Sequence, residues 1–419
     1  MKLSKFDHKI AIIGGGLSGL VIAEGLHKKG YKHVTVFERE NGVGGKLHTI
    51  WYKGKSYEFG ALFSMPSQKH LKALMKTFNL KIEGPRISRV NYDEFGNKIM
   101  QIPKVSLNDF IKELDRLPDV LWEYKSLEKV NIHNAEATLM LPFSMWCDIN
   151  QLRILKTVYA HYFTSYGLGD IEVVPALYVL RILKYDTLMS FMELPEFSMW
   201  KDGVSTLIEC LRRRIKDIRL TQNVTKISLS TQEKVCVHTD FQVLEFDKVI
   251  ITAPLNQFSE LYGADHEMKQ FFNSIKYQNF NVYAFIADKV PKGCGCVLEN
   301  LSLKKSGHVM IWNSRWDCVN GEAMFMVYAY NNPENSKEIS LKVIENDLLK
   351  LGIKNPRLYQ FKSWQQCPYV DTSVLQKGFY EKMEAMQGNN NIFLAGEIMS
   401  TVSMENCIQY SNYLMNKYF

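Results

Sequence analysis

The chain lacks long apolar runs, regularly spaced cysteines, internal repeats and low-complexity tracts. None of its apolar stretches approaches the roughly 18 residues that a membrane-spanning helix requires. The N-terminal segment MKLSKFDHK has no apolar stretch of the signal-peptide kind, so we expect a cytoplasmic protein. Cys294 and Cys296 form the only close pair among eight cysteines, which is weak evidence for zinc. We therefore expect no metal site and reduced, mostly buried thiols.

The chain also lacks a strong charge imbalance. Its net charge of +7 is compatible with an anionic substrate, with peripheral contact to an anionic membrane, or with solubility alone. The densest basic cluster, residues 212–214, lies in a run at 206–218 that predicts a helix with a solvated face, so we do not expect a nucleic-acid partner. With 419 residues, of which 46% are hydrophobic, the chain can form two or three domains with large cores. The oligomeric state does not follow from the sequence.

Residues 10–38 predict a strand, a glycine turn, a helix and a second strand. An apolar run leads into Gly14, Gly16 and Gly19, spaced as GxGxxG, and a second apolar run ends on Glu38. The glycines permit a tight turn, close approach of the backbone to a pyrophosphate, and close packing of helix on strand. The helix N-terminus offers N–H groups to that pyrophosphate. Glu38, 19 residues after Gly19, can accept hydrogen bonds from a ribose, so the pattern predicts a dinucleotide site.

Three further segments that contain glycine favour FAD over NAD. The cluster at 42–45, followed by Lys46, resembles the second fingerprint of the FAD-binding amine oxidase and phytoene desaturase superfamily. Segment 57–61 fits the same superfamily, in which it passes close to the flavin ring, and the Gly396-Glu397 pair after the last apolar strand contacts FAD there. Cys367 invites covalent attachment, but its spacing to Pro368 differs from that of covalent amine oxidases. The resemblance thus implies non-covalent FAD.

The resemblance implies one set of cofactor-binding residues. They are Gly14, Gly16, Leu17, Ser18, Gly19, Glu38, Arg39, Gly45, Lys46, Gly60, Ala61, Leu62, Val224, Gly396, Glu397 and Met404. No catalytic side chain is assigned, because in such enzymes the flavin carries the chemistry.

The order of strand and helix patterns predicts an interleaved α/β fold. We expect a Rossmann-like, doubly wound FAD-binding domain at 1–84, 200–262 and 364–419. A mixed-sheet substrate-binding domain is expected at 85–105 and 263–363, and a helical cap domain at 106–199. Helices are predicted at 106–125, 150–195, 336–351 and 404–418. This arrangement is like that of the amine oxidases.

Six further segments narrow the resemblance. Their order and spacing resemble those of the bacterial polyenoic fatty acid isomerases of the superfamily, at 139–143, 174–180, 188–191, 200–203, 378–388 and 395–400. In that family a hydride leaves the methylene between two double bonds for the flavin and returns to another carbon, which conjugates the diene. The resemblance implies an FAD-dependent isomerase or oxidoreductase acting on a lipid-like, carboxylated substrate. A dehydrogenase, an amine or amino-acid oxidase that uses oxygen, and a flavoprotein without catalysis remain as alternatives.

Two residues match the mouth of the family's substrate channel. The family places an Arg and a Phe there, and the matching positions are Arg89 and Phe191. An Arg suits a carboxylate because its planar fork donates two parallel hydrogen bonds. Arg86 is close enough in sequence to take this role instead. The alternatives are that Arg89 is a surface residue and that Phe191 packs in the core. Segments 91–134 and 364–368 depart from the family, which leaves the substrate open.

Overall fold

The structure is a computed structural model that describes residues 4–60, 67–81, 83–99, 106–193, 196–230, 233–258, 266–288, 290–317 and 321–419. The side chains of residues 86, 87, 191–193 and 196–198 lie outside this description. The strands are β1 (Lys9–Ile13), β2 (His33–Phe37), β3 (Thr49–Tyr52), β4 (Lys55–Glu58), β5 (Arg86–Tyr92), β6 (Lys98–Ile99), β7 (Glu196–Ser198), β8 (Asp217–Arg219), β9 (Val224–Leu229), β10 (Val235–Thr239), β11 (Val243–Phe246), β12 (Lys248–Ile251), β13 (Lys276–Asp288), β14 (Gly293–Val297), β15 (Ile311–Ser314), β16 (Glu322–Tyr330), β17 (Lys354–Tyr369) and β18 (Ile392–Leu394).

The α-helices alternate with these strands. They are α1 (Leu17–Lys28), α2 (Lys69–Thr77), α3 (Leu107–Trp122), α4 (Phe143–Ile149), α5 (Arg153–Ser165), α6 (Ala176–Ile182), α7 (Tyr185–Glu193), α8 (Ser205–Arg212), α9 (His266–Ser274), α10 (Lys337–Lys350), α11 (Thr372–Leu375), α12 (Phe379–Ala385), α13 (Glu397–Ser400) and α14 (Met404–Tyr418). None of the described helices is long and apolar enough to cross a membrane.

A five-stranded parallel sheet has the order β18-β12-β1-β2-β8. Every neighbouring pair in it is parallel. Strand β1 lies at its centre with residues 10–12 fully buried, as expected for a parallel sheet covered on both faces. The predicted doubly wound sheet is confirmed.

A second, mixed sheet has the order β17-β13-β16-β15-β14-β5-β6, with β7 paired to β5. Its neighbours are antiparallel except for β14 and β5. The sequence did not predict β17, whose two prolines, Pro356 and Pro368, argue against a strand. Because β17 is an edge strand, prolines are tolerated there.

The helical region follows its prediction. Its second part, predicted as helices at 150–195, contains the three helices α5, α6 and α7. The break after α5 contains Gly167 and Gly169 with positive φ angles of 72° and 116°, and Pro175 precedes α6. The division into three interleaved domains remains a prediction.

The predicted helix at 206–218 is wrong at its C-terminal half. Helix α8 ends at Arg212, and residues 217–219 form β8, which pairs in parallel with β2. Pairing at the sheet edge overrides the local helical pattern. The side chain of Arg214 lies 2.9 Å from Glu24 and packs 4.5 Å over the ring of Phe78, so this part of the basic cluster belongs to an internal contact.

Candidate active site

A cavity of ≈ 730 Å³ begins at the carboxyl ends of β1, β2, β12 and β18. Residues directly after each of these strands line it, including Gly14, Glu38, Thr252 and Ala395. Open parallel sheets bind their ligands at this edge, where the strand order reverses on either side of β1. The cavity then continues to the mixed sheet, so it has a nucleotide end and a substrate end, formed by different sheets.

The first glycine motif forms the floor of the nucleotide end. Gly14 has φ of +105°, which suits the turn after β1 and which side chains rarely adopt. A Cβ at Gly19 would overlap the carbonyl oxygen of Gly14, so only glycine permits this packing of α1 on β1. Gly16 faces open space, and no side chain caps the N-terminus of α1. The backbone N–H groups of α1 can therefore receive a phosphate.

Glu38 lies beside this turn and is only 8% exposed. Its Oε2 accepts a hydrogen bond from the Gly15 amide at 2.7 Å, and its Oε1 accepts one from the Glu40 amide at 2.9 Å. The carboxylate is thus fixed at the rim of the cavity, where a ribose hydroxyl can donate to it. Arg39 follows, exposed, with Nη1 3.5 Å from the side-chain oxygen of Gln257.

The other two motifs meet the first one in space. Gly44 donates from its amide to the Gly15 carbonyl at 2.8 Å and bridges to Gly16, which sets the second glycine cluster against the first. Lys46 forms an ion pair with Glu397, and both side chains are one-quarter exposed in the cavity wall. Segments about 350 residues apart, predicted separately, therefore form one site.

Most of the sequence-predicted cofactor residues lie in the cavity wall. They are Gly14, Gly16, Leu17, Ser18, Glu38, Arg39, Gly45, Lys46, Gly60, Val224, Gly396, Glu397 and Met404. Gly19 lies behind the turn, in the helix–strand contact. Ala61 and Leu62 lie outside the described residues. Cys367 is buried and does not line the described part of the wall, although its neighbour Pro368 does.

The substrate end carries side chains that, apart from those of segment 364–368, the sequence did not single out. They come from β13, β15, β16, β17 and the segment after α5: Ser165, Tyr166, Asn279, Phe280, Val282, Ile311, Tyr328, Ser363, Trp364, Gln365 and Gln366. Phe280 and Tyr328 stack with their ring centroids 5.9 Å apart. These side chains are a mixture of apolar and polar groups, and Lys362, the residue before Ser363 on β17, also lines the cavity. Alternation along β13 and β16 was the only signal for the residues of those two strands, because it marks one face but no chemistry.

Arg89 lies on β5, half-buried and next to α5. Its Nη2 is 3.4 Å from the Tyr162 hydroxyl, and its guanidinium carbon is 5.2 Å from the centre of the Tyr162 ring. Burial, together with the charge of Arg89, lowers the pKa of His161 to about 4. Burial raises the pKa of Tyr166, and Arg89 acts in the opposite direction. Arg89 itself does not line the described cavity wall, but Tyr166 does.

Phe191 lies in α7, and its side chain is outside the described part of the chain. The side chain of Arg86 is outside it as well. Of the two residues predicted at the channel mouth, only Arg89 has a described side chain. The roles of both remain predictions. Among the described residues, no group of His, Cys, Asp and Glu side chains could hold a metal ion.

Comparison with known families identifies the family of the chain. The model of the family described as "flavin containing amine oxidoreductase" matches residues 17–410, which begin inside the first glycine motif and include the second motif and the Gly396-Glu397 pair. The chain belongs to this family. The cofactor of this flavin-containing amine oxidoreductase is FAD, and the resemblance recognised in its glycine motifs is confirmed.

Solved structures resemble the whole chain. A crystal structure of a CLA-producing fatty acid isomerase from P. acnes has a TM-score of 0.92 and 29% sequence identity, and the match covers 100% of both chains. A triple mutant of putrescine oxidase has a TM-score of 0.73 and 16% identity over 98% of both chains, which is a likeness of fold.

Curated relatives match over shorter stretches. The polyenoic fatty acid isomerase of Ptilota filicina is 32% identical over 75 residues, or 18% of this chain. The first of these relatives are matched over only 10–15% of their own lengths. Their activities are therefore not transferred to this chain by these matches.

The described residues fit FAD. The open approach at Gly16, the uncapped N-terminus of α1 and the fixed carboxylate of Glu38 supply the features that a pyrophosphate and a ribose need. Lys46 and Glu397 line the same cavity and would help to hold the cofactor. Trp364 and Tyr328, on the mixed sheet, would face the cofactor from the substrate end.

Proposed function

We propose that this FAD enzyme acts by hydride transfer on a lipid-like carboxylic acid and isomerises the double bonds of a polyunsaturated fatty acid. The observation that carries this proposal is the full-length likeness to a CLA-producing fatty acid isomerase, at 29% identity and a TM-score of 0.92. Likeness to the putrescine oxidase is lower, at 16% identity and a TM-score of 0.73. The residues of the cavity also support a lipid-like substrate.

The substrate end suits an alkyl chain better than an amine. Phe280, Val282 and Ile311 give it apolar walls, and Tyr328 stacks on Phe280 to close one side. A protonated amine binds best near a carboxylate or a tightly packed aromatic cage. No carboxylate lies among the described residues of this end. Of the nearby acidic groups, Glu397 in the cavity wall is paired with Lys46, and Glu58 behind the wall is paired with Arg315.

Arg89 is our candidate for the carboxylate anchor. It is coupled electrostatically to Tyr166, a residue of the cavity wall, and its guanidinium lies over the ring of Tyr162. Stacking on an aromatic ring leaves the edge of a guanidinium able to donate to a carboxylate. In this proposal the acid head binds at Arg89, and the chain runs past Tyr166 toward the flavin.

FAD, when bound, supplies a hydride acceptor that can also return the hydride. The protein then has three tasks: holding the cofactor, holding the chain, and excluding water from the substrate end. No side chain needs to exchange a proton. His161, the nearest imidazole to the proposed anchor, has its pKa lowered to about 4 by burial and by Arg89, so it is neutral at physiological pH.

Anaerobic turnover tests this proposal. The purified enzyme is incubated without oxygen with polyunsaturated fatty acids and, separately, with amines and amino acids. An isomerase produces conjugated-diene absorbance over many turnovers while the flavin remains oxidised. Bleaching of the flavin by an amine, followed by arrest until oxygen is admitted, would contradict the proposal and identify an oxidase. Bleaching by a fatty acid would identify a dehydrogenase.

A further inference from the structure

A buried ion pair lies directly behind the wall of the cavity. Glu58 and Arg315 are each 2% exposed, and the Arg315 Nη1 is 3.4 Å from Oε1 of Glu58. The same oxygen accepts from the Val204 amide at 3.0 Å, and Oε2 accepts from the Thr49 hydroxyl at 2.8 Å. The three donors come from β3, from the start of α8 and from the residue after β15. One carboxylate thus joins the nucleotide-binding half to the mixed sheet.

This ion pair is costly to bury. Burial raises the pKa of Glu58 to about 7, although Thr49, Arg315 and the Val204 amide all act to lower it. Burial also lowers the pKa of Arg315, and the Nε of that residue makes no hydrogen bond among the described residues. A buried ion pair with incomplete hydrogen bonding is a poor source of stability compared with apolar packing. Its presence next to a cofactor cavity therefore calls for a role other than stability.

The carboxylate fixes the end of strand β4, which runs into the cavity wall. The carbonyl of Glu58 accepts from the Tyr328 hydroxyl at 3.4 Å, and the carbonyl of Phe59 accepts from the Trp364 indole at 2.8 Å. Tyr328, Trp364 and Gly60 all line the cavity. A Cβ at Gly60 would overlap the backbone oxygen of Lys46, so this segment also presses against the second glycine motif. A small shift of the strand end would therefore move several parts of the wall at once.

We propose that Glu58 is a positioning residue, whose charged pairing with Arg315 holds the end of β4, and through it Tyr328, Trp364 and Gly60, in register with bound FAD. Loss of the charge loosens this part of the wall and changes the surroundings of the flavin. The proposal needs the family's cofactor but does not depend on the substrate.

Other charged and titratable groups face this site. Asp202 and Tyr57 act on Arg315, and the phenol of Tyr328 points to the backbone of Glu58. The ring of His48 lies 6.0 Å from that of Phe59, and burial and Lys362 lower the pKa of His48. A His48→Asn variant separates the effect of His48 from that of Glu58.

The test is a pH titration of the visible absorbance and fluorescence of FAD in the holoenzyme, without substrate. In the wild-type protein we expect the flavin bands to shift with a midpoint at about pH 7. The shift should be lost in Glu58→Gln, whose spectrum should match the low-pH form of the wild type at every pH. It should persist in His48→Asn. It should also persist in the matched control Glu322→Gln, because the Glu322 carboxylate of the wild type pairs with Lys53 and Arg357 at the surface.

Two outcomes would overturn the proposal: a shift that persists unchanged in Glu58→Gln, or no shift between pH 5 and pH 9 in the wild type. If Glu58→Gln fails to fold with FAD, Arg315→Lys decides the matter. Lysine keeps the charge but cannot reproduce the guanidinium geometry, so the midpoint should move to higher pH. An unchanged midpoint in Arg315→Lys would also overturn the proposal.

Discussion

The two ends of the cavity are built in different ways. At the nucleotide end the contacts come from the backbone, at Gly14, Gly16 and Gly44, with one fixed carboxylate, Glu38. At the substrate end the contacts come from side chains of strands that lie far apart in sequence, such as Phe280 and Trp364. Backbone contacts require particular residue types, but side-chain walls require only size and polarity.

This difference explains what the family shares. Any member must bind the same dinucleotide, so the glycine turns are tied to one geometry and leave a sequence signal. The substrate end can exchange one apolar side chain for another without loss of fold. The cofactor is therefore firmly identified, and the substrate has to be argued from shape, charge and likeness.

The largest expected effect is at the nucleotide end. Gly19→Ala should abolish FAD binding, because the added Cβ overlaps the Gly14 carbonyl and forces α1 away from β1. FAD released per mole of purified protein, read with circular dichroism, measures this. The matched control is Gly42→Ala, since Gly42 has no neighbour within 4 Å of an added Cβ. Normal FAD content in Gly19→Ala would contradict the claim that the nucleotide end, unlike the substrate end, requires particular residue types.

The second-largest effect is expected on the pH dependence of stability, through Glu58, which lies between the two ends of the cavity. Below about pH 4.5 the Glu58 carboxyl is protonated in both the folded and the unfolded chain. Between about pH 4.5 and 7 only the folded chain holds the proton, so the free energy of unfolding falls as pH rises. At about 1.4 kcal/mol per pH unit, the loss is at most about 3.5 kcal/mol.

Urea unfolding of the wild type and of Glu58→Gln at pH 4.5 and pH 8 measures this loss. The free energy of unfolding of the wild type minus that of the variant should decrease from pH 4.5 to pH 8. This holds whether or not the two proteins are equally stable at pH 4.5. An equal difference at both pH values would show that Glu58 titrates normally. An increase would mean that Arg315 outweighs burial.

At the substrate end, Arg89→Ala should raise KM for a fatty acid far more than it lowers kcat. A distant anchor contributes mainly to ground-state binding, and the loss of a charge-assisted hydrogen bond costs about 1.5–3 kcal/mol, or roughly 10- to 150-fold. Steady-state kinetics with a free acid and with its methyl ester measure this. Wild-type KM in Arg89→Ala with an altered KM in Arg86→Ala would move the anchor to Arg86. No change in either would remove the carboxylate from the proposal.

The smallest effect is expected where the two ends touch at the surface. Lys362 of β17 lies 3.6 Å from Glu40, which follows β2, and both are more than one-third exposed. Lys362→Ala should weaken FAD binding by at most about 5-fold at low salt, because exposed pairs contribute about 0–1 kcal/mol. Titration of apoprotein with FAD at low and high salt measures this, with Lys292→Ala as the control. A larger or salt-independent loss would mean that Lys362 contacts FAD itself.

The sequence predicted the parts of the fold that depend on local pattern. The strand–turn–helix unit at β1 and α1, the strand before Gly396 and the C-terminal helix α14 all lie where their patterns indicated. The meeting of Lys46 with Glu397 was implied only by the family resemblance, since no local rule pairs residues so distant.

The parts that the sequence missed depend on tertiary context. Strand β17 is interrupted by prolines that only an edge position tolerates, and β8 lies in a stretch with a helical pattern. Glu58 belongs to the recognised segment 57–61, but Arg315 carries no motif, and their pairing follows from the approach of the two sheets. The positions of Tyr166 and Phe280 in the cavity wall arise in the same way.

The most direct test of the account follows deuterium at the methylene between two double bonds of a polyunsaturated fatty acid. Labelled and unlabelled acids are mixed and converted without oxygen, and the products are analysed by mass spectrometry. The account predicts a slower reaction of the labelled acid, with the deuterium retained at another carbon of the same molecule, because the reduced flavin and the substrate cation stay together, shielded from water. Loss of deuterium to solvent, or hydrogen peroxide formed in step with product, would contradict it.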